Sequence, residues 1–146
     1  MNDSLRTVLV GFIAGAVGVL VFHQLGFFIS NELGFTKVQL YNSRPVPPWS
    51  VPTIVSAAFW GGLWGVVAAF LVPRLPGALA GPLGWILFAG IVVTLVNWLV
   101  VAPLKSAPIG YGFRMPGPVV VPLVYAFWGF GMWLIARLVR QVLGGR

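Results

Sequence analysis

Four apolar runs, each long enough to cross a bilayer, set the terms for everything else in this chain. They cover residues 7–30, 51–72, 83–104 and 118–139. A hydrocarbon core about 30 Å thick takes roughly 20 helical residues, and each run reaches that length. No Asp, Glu, Lys or Arg interrupts them until Arg137, in the last turn of the fourth, where a long side chain reaches the interface. In lipid each segment must satisfy its own backbone N–H and C=O groups, so helices are the expected form. The ten-residue alternating strands of an outer-membrane barrel do not occur in the sequence. The reading is an all-α membrane protein with four transmembrane helices in a single membrane domain.

Composition removes the other classes. Of the 146 residues, 59% are apolar and only 8% are charged, and the mean hydropathy is +0.97. A soluble domain carries about a quarter charged residues, and a disordered chain needs low hydrophobicity with high charge. The absence of cysteine excludes disulfides, thiolate metal sites, iron–sulfur clusters and thiol nucleophiles. One histidine, His23, and two acids, Asp3 and Glu32, read as lying in a terminus and a loop, make no metal-ligand set. Glu32 lies about 13 Å beyond His23 along a continuous helix, too far for a Ser-His-acid relay. Neither a Gly-x-Ser-x-Gly elbow nor a phosphate-binding Gly-x4-Gly-Lys loop is present. The expectation is a non-enzyme with no catalytic residue, no metal and no cofactor.

The net charge of +7 has a different meaning here from that in a soluble protein. The cations stand singly between apolar runs, as Arg6, Lys37, Arg44, Arg74, Lys105, Arg114, Arg137, Arg140 and Arg146. No basic stripe interleaved with aromatics exists, so nucleic acid is not an expected partner. Single cations flanking apolar runs serve anchoring and topology. An even number of spans puts both termini on one side, with Arg6, Arg74, Arg137, Arg140 and Arg146, and leaves Lys37, Arg44, Lys105 and Arg114 on the other. The C-terminal cluster then favours termini in the cytoplasm of a bacterial inner membrane. The first run continues past the 7–15 residues of a signal-peptide core, so it reads as a retained span.

Self-comparison shows an internal repeat. Arg44-Pro-Val-Pro-Pro48-Trp-Ser-Val51-Pro52 returns as Arg114-Met-Pro-Gly-Pro118-Val-Val-Val121-Pro122, both Arg-x3-Pro-x2-Val-Pro. Ala58-Phe59-Trp60-Gly61 returns as Ala126-Phe127-Trp128-Gly129, and Ala14-Gly15 has a weaker counterpart in Ala89-Gly90. The order is kept, which points to two parallel helical-hairpin repeats, about 1–72 and 73–146. Parallel repeats occur in transporters, although a repeat by itself indicates pseudosymmetry only. Pro52 and Pro122 read as first-turn prolines, and Pro45, Pro47 and Pro48 as an extended approach to the second helix.

Polar groups within the spans are few, and they define the candidate positions. His23 is the sole ionisable one, and a lone histidine is more often a satisfied neighbour contact than a relay. Trp60, Trp64 and Trp128 fall near mid-span, whereas Trp49 and Trp85 fit the interface belts. A mid-bilayer indole needs an acceptor, which Asn97, Thr94, Ser56 or a backbone carbonyl could supply. Tight packing against Gly61, Gly62, Gly65, Gly129 and Gly131 is one reading. A pocket lined by His23, Trp60, Trp64, Asn97 and Trp128 is the sharper one. Arg44 and Arg114 read as lipid-phosphate anchors, with a shared anion site as the alternative. Gly11-x3-Gly15 permits close helix approach, within the chain or between copies.

The strings Phe22-His23-Gln24, Val46-Pro-Pro-Trp-Ser-Val-Pro52, Ala57-Ala-Phe-Trp-Gly-Gly-Leu-Trp-Gly65, Val100-Val-Ala-Pro-Leu-Lys105 and Ala126-Phe-Trp-Gly129 resemble a family of small four-span inner-membrane proteins of proteobacteria. The resemblance covers nearly the whole chain and implies location and span count. It transfers no functional site, because that family carries no assigned activity. The leading expectation is a non-enzymatic membrane protein acting through helix packing, as a homo-oligomer or as an accessory subunit beside another membrane protein in the lipid bilayer. A small channel or carrier for a neutral or anionic solute, with Arg44 and Arg114 at its mouth, is the alternative. An anionic-lipid-binding protein is a third.

Overall fold

The computed structural model describes residues 2–144. Four helices dominate it: α1 (Asp3–Glu32), α2 (Thr53–Arg74), α3 (Pro82–Leu104) and α4 (Gly117–Gly144), each long and apolar enough to cross a membrane. The expected all-α, four-span architecture is present. The one ladder among the described residues is a two-residue antiparallel pairing of β1 (Pro45–Val46) with β2 (Val51–Pro52), just before α2. Arg146, counted among the terminus-side cations, lies outside the described residues.

Each helix runs somewhat beyond its apolar core, and local chemistry explains the ends. Asn2 caps α1, its Oδ1 accepting the Leu5 N–H at 2.7 Å, so the helix begins at Asp3. At the other end Gly34 takes φ +77°, the Phe35 N–H returns to Ser30 O at 3.0 Å and the Gly34 N–H to Asn31 O at 2.9 Å. That paired closure is a Schellman ending, and it uses glycine for its left-handed residue. Asp3 and Glu32 therefore belong to α1, correcting their placement in terminus and loop. Thr53 starts α2 by donating both its N–H (2.9 Å) and its hydroxyl (2.7 Å) to Arg44 O. Pro52 stands one residue before that helix, and Pro122 lies inside α4. Neither is a first-turn proline as expected, because the Pro116 carbonyl receives the Val119 and Val120 N–H groups and starts α4 earlier.

Small residues set the packing. In lipid there is no hydrophobic drive between helices, so close backbone approach and van der Waals contact carry association. The Gly11-x3-Gly15 face of α1 meets the Gly61-x3-Gly65 face of α2. A Cβ on Gly11 falls 2.6 Å from Gly65 O, and one on Gly65 lies 2.8 Å from Gly15 Cα. Only glycine fits that seam. On α4, Gly129 abuts the Trp85 carbonyl of α3, and a Cβ there lies 2.9 Å from Ala89 Cβ. Gly18 of α1 lies under the Trp128 indole of α4. Contacts of α2 with α3 through Trp64 and Phe88 (ring centroids 6.0 Å apart) close the bundle.

The pairings Gly11–Gly65 with Gly15–Gly61, Val72–Gly84 with Trp64–Phe88, and Trp85–Gly129 with Gly90–Ala126 make sequential neighbours antiparallel. Arg6 of α1 reaches Arg140 O of α4 at 3.1 Å, so the ends nearest both termini lie together. The core consists of Val10, Ala14, Ala68, Trp85, Phe88, Ala89, Trp128 and Met132 with their neighbours. Trp85, near the start of α3, is 2% exposed, because Gly84 and Gly129 let its turn close against α2 and α4. Three π turns interrupt the ladders, at Val19–His23 in α1 and at Phe88–Val93 and Asn97–Val101 in α3.

Candidate functional site

The seven candidate positions do not gather into one pocket. Trp128 is buried, and its Nε1–H donates to Gly15 O at 3.2 Å. His23 is half-buried in the π turn of α1, its ring 4.9 Å from Phe27 and 5.6 Å from Tyr125. Tyr125 in turn stands 6.0 Å from Trp128. His23, Tyr125 and Trp128 thus form a chain of tilted and edge-on rings between α1 and α4. Trp64 packs on Phe88 in another direction. Asn97 sits toward the Leu104 end of α3, its Oδ1 3.5 Å from the Tyr111 hydroxyl. Burial on the 109–113 turn raises the Tyr111 hydroxyl above its ordinary pKa. Trp60 faces outward and is 58% exposed.

Arg44 and Arg114 are exposed in the connections that lead into α2 and α4. Their backbones are committed: the Arg44 N–H donates to Asn42 Oδ1 at 2.9 Å, and Arg114 O accepts the Gly117 N–H at 3.0 Å. Neither guanidinium lines either of the two clefts described next, and the same is true of the other five candidates.

The concave features lie instead at the end nearest both termini. A cleft of about 550 Å³ has Trp85, Trp133 and Ala136 as its apolar floor, with Arg6, Arg137, Arg140 and Gln141 around them. A neighbouring cleft of about 660 Å³ is lined by Asp3, Arg6, Thr7, Phe70, Arg74 and Arg140 among others. Arg6 and Arg140 belong to both. Four guanidinium groups from three helices thus face two adjoining hollows, with Asp3 the single acid between them.

Several of these cations are held in place. Arg6 Nη2 donates to Arg140 O at 3.1 Å, tying α1 to α4. Its Nε is buried without an acceptor. Arg74 Nη1 donates to Phe70 O, with the guanidinium 5.8 Å from the Phe70 ring. Arg137 lies 5.8 Å from the Trp133 ring centroid, within cation–π range. The sequence indicated Arg137 and Arg140 as interfacial anchors but gave no sign that Arg6 meets them. That meeting joins residues 134 apart, and no local pattern encodes it.

No family model matches this chain, and neither a curated protein nor a solved structure shows significant similarity to it. Membrane location and span count therefore rest on the chain's own four helices.

Proposed function

We propose that the chain is a non-enzymatic inner-membrane protein that works by helix packing, receiving a neighbouring helix on the face of α2 that carries Phe59 and Trp60. The neighbour is a second copy in a homo-oligomer or, where the chain acts as an accessory subunit, a helix of another membrane protein. The observation that carries this is Trp60 itself. It stands about 10 Å in from the Thr53 end of α2 by helical rise, and is 58% exposed on the bundle exterior. Among the described residues no hydrogen bond holds its indole, whereas Trp128 bonds Gly15 O. An indole N–H left without an acceptor in hydrocarbon costs several kcal/mol, and a packed helix offering a carbonyl or hydroxyl removes that cost.

The surroundings of Trp60 favour this reading. Phe59 is 51% exposed and Val55 52%, and Phe12 and Phe59 stand edge to face at 6.2 Å, a broad aromatic surface. The glycine seam is already filled inside the chain, so a neighbour docks through rings and not through a small-residue groove.

The absence of native cysteine makes the test clean. Phe59→Cys carrying a thiol-attached benzophenone, illuminated in native membranes, is expected to cross-link to a second copy for an oligomer or to a distinct protein for an accessory subunit. Leu123→Cys, 64% exposed on α4, serves as the collision control. Equal cross-linking at both positions, together with a monomer by native mass spectrometry in nanodiscs, sinks the proposal.

A further inference from the structure

We infer that the cleft between the start of α1 and the end of α4 binds the phosphodiester headgroup of an anionic phospholipid, with Arg6, Arg137 and Arg140 as its cationic wall. Single cations at span ends are ordinary topology signals. Convergence of four, from α1, α2 and α4, onto two adjoining hollows with one carboxylate is not required by topology. Three guanidinium charges are left over once Asp3 is counted against them. At a membrane edge, where water is scarcer than in solution, like charges facing common hollows repel unless an anion joins them.

The geometry matches a lipid better than a fully soluble anion. Trp85, Trp133 and Ala136 give the hollow beside α4 an apolar floor, suited to the glycerol and first acyl carbons. The guanidinium groups stand around it, suited to phosphate oxygens, which they take by charge-assisted hydrogen bonds. Arg6 and Arg140 are common to both hollows, and Arg6 is the one with an unused donor. The protein supplies it one acceptor, Arg140 O at 3.1 Å, and leaves its buried Nε–H without any. An oxygen arriving beside that side chain completes its donor set. Choline headgroups carry their own cation and are disfavoured by the same charges.

The test uses the intact protein extracted from vesicles of phosphatidylcholine and phosphatidylglycerol in equal amounts, with bound lipid read by native mass spectrometry. Phosphatidylglycerol is expected to be retained over phosphatidylcholine. Arg6→Gln with Arg140→Gln is expected to lower that retention about tenfold or more, the factor carried by a hydrogen bond to a charged group. Arg6→Lys keeps the charge but not the planar fork, and is expected to lose part of it. Lys37→Gln with Lys105→Gln, at the opposite end and outside both hollows, is expected to lower it far less. Should the inner double variant fail to fold, Arg137→Gln carries the test, because Arg137 is exposed and holds no backbone group. Equal retention of the two lipids, or undiminished retention in the inner variants, overturns the inference. So does capture of inorganic phosphate by a protein that retains no phosphatidylglycerol, which would mark a soluble-phosphate site. Each readout is independent of whether Phe59→Cys cross-links.

Discussion

The indole N–H of Trp128 donates to the carbonyl of Gly15 at 3.2 Å, across the α1–α4 interface and inside the bundle. The contact exists because Gly18 has no side chain: a Cβ there would lie 2.9 Å from Trp128 Nε1. One tryptophan is thereby satisfied within the chain while Trp60 is turned outward. Their different positions lead to different expectations for the same substitution.

Trp128→Phe removes the donor and part of a buried ring, and is expected to destabilise the bundle by about 1–3 kcal/mol, hydrogen bond and packing together. Trp60→Phe is expected to leave monomer stability within about 0.5 kcal/mol while weakening association. Unfolding in mixed micelles measures the first, and the cross-linking yield from Phe59→Cys the second. Equal stability losses at the two positions would contradict the assignment of their faces.

Gly15→Ala places a Cβ against the Gly61 backbone, which has no flexible end to move aside. The α1–α2 seam must open, at an expected cost of about 1–3 kcal/mol or more. Gly117→Ala is the contrast, since nothing lies within 4 Å of the added carbon; there the expected change is within about 0.5 kcal/mol of zero, or slightly stabilising. Thermal unfolding of the two variants side by side decides this.

Thr94 is 2% exposed and its hydroxyl is buried without a partner. Thr94→Val keeps the branched shape and removes the unsatisfied group, so it is expected to raise stability by about 1 kcal/mol. A loss of stability instead would mean that the hydroxyl has a partner in the membrane, such as a water or a backbone carbonyl.

The connection between α1 and α2 is pinned to α1 by Tyr41. Its hydroxyl donates to Leu20 O at 2.8 Å, and its N–H to Gln24 Oε1 at 2.9 Å. The π turn shapes this docking point, because the Gln24 N–H returns to Val19 O, five residues back. Tyr41→Phe is expected to speed hydrogen exchange in residues 33–44 by about fivefold, roughly one hydrogen bond of about 1 kcal/mol. Global unfolding is expected to shift far less, and exchange mass spectrometry resolves the two.

Span number and span interiors were legible because they depend on unbroken apolar length, which any bilayer-crossing helix must have. Ends were less so. The Asn2 cap and the Gly34 closure lengthen α1 on both sides of its apolar run through residues that hydropathy ignores. Trp85 stands near a span end, but its burial there was not legible, because it depends on two glycines in contact with neighbouring helices. Of the candidate positions, His23 and Trp128 fell into one chain of rings through Tyr125, but Asn97, Trp60 and Trp64 point to three other surroundings. The basic cleft was invisible in the sequence, because Arg6, Arg74 and Arg140 come together only through the closing of the bundle.

The filled Gly11–Gly65 and Gly15–Gly61 seam has a kinetic consequence. Its two helices are covalently linked and interlocked at backbone distance, so they are expected to insert and persist as a unit. Anything that docks on the outer aromatic surface is separated by whole side chains, and comes and goes faster than that hairpin opens. Turnover of neighbours can then proceed around an unchanging monomer.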